Sequence, residues 1–265
     1  MNNIKALFFD IDGTLVPFGD HQPPTDVINA LKIIRSNGIK IFISTGRHIN
    51  WVDNLGKLEV DGYVTANGNL CVEDDRKTVI YKHCIPHDDI DRIIDFSHNS
   101  DIPIVAVPVH GRIIINREDE SIAKVRSLLE LPKMPITDLE EIRNKEIVQM
   151  MAFGSEEKRR KSGLFTDILH ECQPTSWHPW FCDIIPIGSD KSVGIDNMIL
   201  HHCIDISETV AFGDGGNDIG MLQHAGIGVA MGNAAPDVKA AADYVTTDVD
   251  NFGVINALRH LGLII

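Results

Sequence analysis

The sequence lacks the marks of several large protein classes. No apolar run reaches the length of a membrane span, and the N-terminus carries no signal-peptide pattern, so no membrane partner is expected. Its five cysteines (Cys71, Cys84, Cys172, Cys182, Cys203) form no CxxC pair and are odd in number. They read as reduced, mostly buried thiols, which favours a cytoplasmic address. Positive charge is short as well: 24 Lys and Arg stand against 38 Asp and Glu, a formal net charge of −14. That balance argues against nucleic acid or an anionic membrane surface as the main partner. It is compatible with a monomer or a weak homo-oligomer. Internal repeats and low-complexity tracts are absent too.

What is present is an ordinary globular composition, 43% hydrophobic and 23% charged over 265 residues, enough for one large core or two medium ones. Two acidic segments stand out within it. Leu7-Phe8-Phe9-Asp10-Ile11-Asp12-Gly13-Thr14 runs an apolar strand pattern into two carboxylates, and Val210-Ala211-Phe212-Gly213-Asp214-Gly215-Gly216-Asn217-Asp218 does so again. Buried strands that end in acidic residues gather carboxylates at one sheet edge. Such a cluster repels itself unless a divalent cation holds it, and hard oxygen donors suit Mg²⁺. The overall acidity does not exclude a phosphate substrate, because a bound cation and a few local positive groups set the field in a pocket. The pattern therefore points to magnesium-dependent phosphoryl transfer. Each segment alone also reads as a glycine-containing surface turn, but Phe8-Phe9 directly before Asp10 fits poorly in a solvated turn.

Strand and helix patterns alternate around these segments. Ile4–Phe9 reads as a buried strand, Thr25–Asn37 as a helix stopped at Gly38, and Ile39–Ser44 as a second strand. Asp61–Ala66 leads into an Asn67-Gly68 turn and a hairpin through residues 70–72 and 78–82. The alternation predicts an α/β fold, a doubly wound parallel sheet of Rossmann-like type. The middle of the chain reads differently. Helices are expected at Pro86–Ser100, Glu118–Leu129 and Glu156–His170. Strands are expected at Ile104–Val109, Arg112–Asn116, Ile147–Phe153, Thr175–Trp177 and Cys182–Ile185, none of them ending in aspartate. Residues 84–186 are taken as an inserted α+β domain between core segments 1–83 and 187–265.

Further candidates are Ser44-Thr45-Gly46-Arg47, where a hydroxyl and an amide beside glycine suit a phosphate oxygen, although Thr45 reads equally as a helix cap. Lys191 stands at an expected helix start, where the helix dipole disfavours a cation, so an anionic partner would explain it. Trp177-His178-Pro179-Trp180-Phe181 is either a sugar-facing aromatic loop or a small apolar cluster. His201-His202-Cys203 resembles a soft-metal cluster, but adjacent residues on a helix point apart.

With DxDGT, STGR, the Lys191 segment and GDGGND in this order, the chain resembles the haloacid dehalogenase superfamily, specifically its Cof-like phosphatases of subclass IIB, over its whole length. The resemblance implies a core with an inserted cap, residues 84–186, that governs substrate specificity. It makes Asp10 the nucleophile that forms an aspartyl-phosphate, and Asp12 the general acid and then base. Asp10, the Asp12 backbone carbonyl and Asp214 would hold Mg²⁺, with Asp218 a supporting carboxylate of the metal site. Thr45, Gly46, Lys191, Asn217 and the Ile11 amide would hold the phosphoryl group. The expected substrate is a small phosphomonoester, a sugar phosphate above all, with the Trp177, His178 and Trp180 loop as the local hint. Two other readings use similar residues: a phosphosugar mutase, and a receiver-like protein that accepts phosphate on Asp10.

Overall fold

The computed structural model describes residues 3–20, 22–128 and 133–265; the side chains of residues 128 and 176–178 are outside that description. Two compact units divide the chain, Met1–Tyr81 with Asp190–Ile265, and Lys82–Ser189. In chain order the first unit begins with β1 (Ala6–Phe9), α1 (Thr25–Ser36), β2 (Lys40–Ser44), β3 (Gly62–Thr65), β4 (Leu70–Glu73) and β5 (Val79–Lys82). The second contributes α2 (His87–Asn99), β6 (Ile104–Pro108), β7 (Ile114–Ile115), α3 (Glu120–Leu128), β8 (Ile147–Phe153), α4 (Glu156–Lys161), β9 (Cys172–His178) and β10 (Phe181–Pro186). The first then resumes with α5 (Lys191–His201), β11 (Thr209–Gly213), α6 (Ile219–His224), β12 (Ile227–Ala230), α7 (Pro236–Ala240), β13 (Tyr244–Val245) and α8 (Gly253–His260).

The first unit is an α/β core. Its sheet runs β13-β12-β11-β1-β2-β3-β4-β5, parallel from β13 through β3, with β4 antiparallel to β3. β1 is buried on both faces, as a central parallel strand must be. Phe8 stacks on Phe42 of β2, while Phe9, pointing to the other face, stacks on Phe212 of β11. α5 and α6 cover the Phe8 face through Ile195, Met198, Met221 and Leu222. On α1, Val27, Ala30, Leu31 and Ile34 form the buried stripe at helical spacing. Gly38 follows at φ +88°, which stops the helix.

The second unit is α+β. Its sheet runs β7-β6-β8-β10-β9, and each of its pairings is antiparallel. α2 presents Ile90, Ile93 and Ile94 to a core that includes Ile104, Ile147, Met150 and Ile184. Two expectations from the sequence fail here. The charged helix over Glu156–His170 ends at Lys161, because Gly163 turns left-handed at φ +72° and a single wide turn, Leu164–Ile168, follows. The strand over Arg112–Asn116 shrinks to Ile114–Ile115.

Candidate active site

Strand order reverses at β1, which lies between β11 and β2. Loops that leave the strands on the two sides of such a point diverge, and a crevice opens at the strands' carboxyl ends. Asp10 follows β1, Thr45 follows β2 and Asp214 follows β11, so three strand ends deliver side chains to one place.

Asp10 is 8% exposed, and its amide donates to Phe212 O at 3.0 Å, which fixes its carboxylate at the end of β1. Lys191, the first residue of α5, is fully enclosed. Its Nζ donates to Asp10 Oδ1 at 2.7 Å and to Asp218 Oδ1 at 2.6 Å. These two anions account for a lysine where the helix dipole opposes one. The other Asp218 oxygen, Oδ2, accepts from the amides of Asp214 and Gly215 at 3.0 and 2.9 Å. Both Asp218 oxygens are thus committed to the protein, which makes it a brace for the lysine and for the Asp214 loop.

Asp214 is held by Thr14, whose Oγ1 donates to Oδ1 at 2.9 Å, and by Asn233, whose Nδ2 donates to Oδ2 at 3.2 Å and to Gly13 O at 2.9 Å. Gly13, at φ +85°, lets the two loops meet; a Cβ there would lie 2.3 Å from Asp214 Oδ2. On the other side Asn217 Nδ2 donates to Asn67 Oδ1 at 3.1 Å. Gly46 lies against the same two side chains, and Thr45 is buried beside it, its hydroxyl accepting from the Arg47 amide.

Donor atoms of Asp10, Asp214 and Asp218 lie within 4.8 Å of one another. Burial pushes the Asp10 carboxyl well above the ordinary carboxylate range. The Lys191 charge pulls it back, and the Asp218, Asp214 and Asp12 charges push it up again. Burial, then Asp218, takes Asp214 up to about 7, against the hydrogen bond from Thr14. Lys191 loses by burial but gains more from its two carboxylates, so its pKa stands above the usual lysine value. One lysine therefore does not balance the cluster. Two hard, half-neutralised carboxylates side by side are a fitting seat for a small divalent cation.

Asp12 is aimed elsewhere. Its two oxygens accept from Arg47 Nε and Nη2, both at 2.7 Å, in a bidentate fork. Both Asp12 oxygens are occupied by this fork, so an Asp12 that reaches a leaving group requires Arg47 to let go.

A family model described as haloacid dehalogenase-like hydrolase matches residues 7–258. The chain belongs to the haloacid dehalogenase-like hydrolases. A protein of Bacillus subtilis (strain 168) named as a phosphatase, YkrA, is 32% identical over 98% of each chain. Two solved structures match the whole fold. One, described as the subclass IIB sugar phosphatase BT4131, is 42% identical with a TM-score of 0.88, over 98% of this chain and 100% of its own. The other, the phosphatase BT1666 from Bacteroides thetaiotaomicron, is 37% identical with a TM-score of 0.87, over 98% and 96%. The hydrolase is a Cof-like member of the family and a phosphoric monoester hydrolase.

Asp10, Thr45, Gly46, Lys191, Asp214, Asn217 and Asp218 are gathered in this hydrolase at the carboxyl edge of one sheet. Ile11 lies next to Asp10 and is fully buried. Trp180 is in the second unit, 37% exposed, with the Lys124 ammonium 4.5 Å from its ring centroid. The side chains of Trp177 and His178 lie outside the described residues. Sequence reasoning missed three side chains that hold the site: Arg47, Asn67 and Asn233. Arg47 lay inside the STGR segment, and Asn233 follows β12 at the same sheet edge as the aspartates. Asn67 was visible only as half of a turn dipeptide.

Proposed function

We propose that this hydrolase is a cytoplasmic, Mg²⁺-dependent phosphatase of small phosphomonoesters, sugar phosphates first among them, with residues 84–186 selecting the substrate. The observation that carries the reading is Lys191 clamped between Asp10 and Asp218 where the sheet order reverses. Likeness to a protein described as a sugar phosphatase supports the substrate class.

In this reading an Asp10 oxygen attacks phosphorus, and the ester P–O bond breaks as Asp12 protonates the leaving oxygen. Asp12 then takes a proton from water, which attacks the aspartyl-phosphate, frees inorganic phosphate and restores Asp10. Lys191, the Thr45 hydroxyl, Asn217 and the Ile11 and Gly46 amides hold the phosphoryl oxygens as charge builds on them. Mg²⁺ held by Asp10, Asp214 and the Asp12 backbone carbonyl would offset the repulsion between carboxylate and phosphate. Asp218 acts through Lys191 and the Asp214 loop.

Phosphate release from p-nitrophenyl phosphate and a panel of hexose, pentose and nucleotide phosphates, with Mg²⁺ or with EDTA, tests this directly. Repeated Mg²⁺-dependent turnover is expected, strongest with sugar phosphates. Well-folded, Mg²⁺-loaded protein that turns over nothing on the panel would sink the proposal. An isomerised sugar phosphate in place of free phosphate would move it to the mutase reading.

A pH dependence follows from Asp214. Its carboxyl rises from an ordinary 3.8 to about 7 in the cation-free fold. A raised value stabilises the fold at pH below the unfolded carboxyl's value, and that contribution fades as pH climbs through about 7. The cation must displace this proton. Mg²⁺ affinity is therefore expected to rise by roughly tenfold or more per pH unit up to neutrality, since the raised Asp10 carboxyl must give up its proton as well. Calorimetric titration of Mg²⁺ at several pH values checks this; equal affinity on both sides of neutrality would contradict it.

A further inference from the structure

At the end of α5 opposite Lys191, the helix closes on two histidines. His201 is the last helical residue, His202 is the C-cap, and Cys203 follows in the left-handed region at φ +55°. Neighbouring side chains on a regular helix diverge by about 100°. At this helix end both imidazoles nevertheless reach Glu73, the last residue of β4. His201 Nε2 lies 2.6 Å from Glu73 Oε1, His202 Nε2 lies 3.9 Å from Oε2, and the rings meet edge to face at 5.0 Å.

The His202 contact is the informative one. Its ring packs on Phe42 at 5.1 Å, and its side chain is only 13% exposed. Its Nε2 is shielded from solvent and has no hydrogen-bond partner among the described residues. A shielded, unsatisfied ring nitrogen calls for an explanation. The gap of 3.9 Å to Glu73 is too long for a hydrogen bond. It is close to the spacing of two donors on one ion, since ligands about 2.0–2.2 Å from zinc stand about 3.3 Å apart in a tetrahedron. Seating an ion would require the Glu73–His201 pair to open by roughly 0.7 Å, within reach of side-chain rotation.

We infer that Glu73, His201 and His202 form a second cation site, separate from the phosphate site and suited to zinc or a similar transition metal. Two imidazoles and one carboxylate match such an ion, whereas Mg²⁺ prefers an all-oxygen shell. The carboxyl end of a helix also favours positive charge. A bound ion would tie the end of α5 to β4, on the same helix whose first residue is Lys191. The inference does not rest on the proposed phosphatase substrate.

The test is a calorimetric titration of Zn²⁺ into the Mg²⁺-saturated full chain, repeated with Co²⁺ as a visible probe. One Zn²⁺ per chain is expected, undiminished by excess Mg²⁺, with a four-coordinate Co²⁺ absorption band. Glu73→Gln, His201→Ala and His202→Ala should each weaken binding at least about a hundredfold, while Asp214→Asn leaves it unchanged. Failure of the wild-type chain to bind more tightly than about 1 mM would overturn the site. So would equal affinity in the folded Glu73→Gln and His201→Ala variants, which decide the matter even if His202→Ala does not fold. Loss in Asp214→Asn alone would place the ion at the phosphate site instead.

Discussion

Asp10→Asn is expected to lower phosphate release by about 10⁴-fold or more while the fold survives. The amide oxygen can still accept from Lys191, so the 2.7 Å contact has a replacement, but a neutral amide does not attack phosphorus. Stability without Mg²⁺ should not fall. In the native chain burial first, and then three like charges, raise this carboxyl's proton affinity, and the substitution removes that conflict. Steady-state hydrolysis of p-nitrophenyl phosphate, beside thermal unfolding in EDTA, measures both. More than about one per cent of native turnover in the purified variant would exclude Asp10 as the nucleophile.

Lys191→Met is expected to cost both activity and stability, the latter by about 3–5 kcal/mol. The Lys191 side chain is fully enclosed, and its partners Asp218 and Asp10 have side chains 1% and 11% exposed. Methionine fills much of the volume but leaves two buried carboxylates without their cation, and uncompensated buried charge is what makes such substitutions severe. Adding Asp218→Asn to Lys191→Met should recover part of the loss, because one of the stranded charges goes with it. Urea unfolding in Mg²⁺-free buffer gives the comparison. A loss below about 1 kcal/mol would show that the cluster does not depend on the lysine.

The core and the aspartates at its strand ends were legible because they obey local rules. A strand buried on both faces shows as a run such as Leu7-Phe8-Phe9, and a carboxylate at its end has few uses other than a site. α1 was legible to within a residue from its apolar spacing and Gly38. The supporting side chains were not, since they are defined by pairings across the fold: Arg47 meets Asp12 over 35 positions, Asn67 meets Asn217 over 150, and Asn233 meets Gly13 over 220. No periodicity encodes such distances. The helix expected over Glu156–His170 failed for a local reason, one left-handed glycine whose effect charge patterning hides. At His201 and His202 the rule that neighbours diverge was sound for a helix and misapplied at its end.

Asp218 carries a consequence for how this chain can vary over generations. One carboxylate anchors a lysine 27 positions upstream and two amides of its own loop. A lineage that loses Asp218 loses the lysine's seat and the loop's shape in the same event, and a change at position 191 alone leaves an anion nothing else neutralises. The pair is therefore expected to be inherited together or abandoned together, while an exposed neighbour such as Gln223 on α6 is freer to drift. Among distant descendants, the joint presence of Lys191 and Asp218 should outlast any resemblance in the second unit.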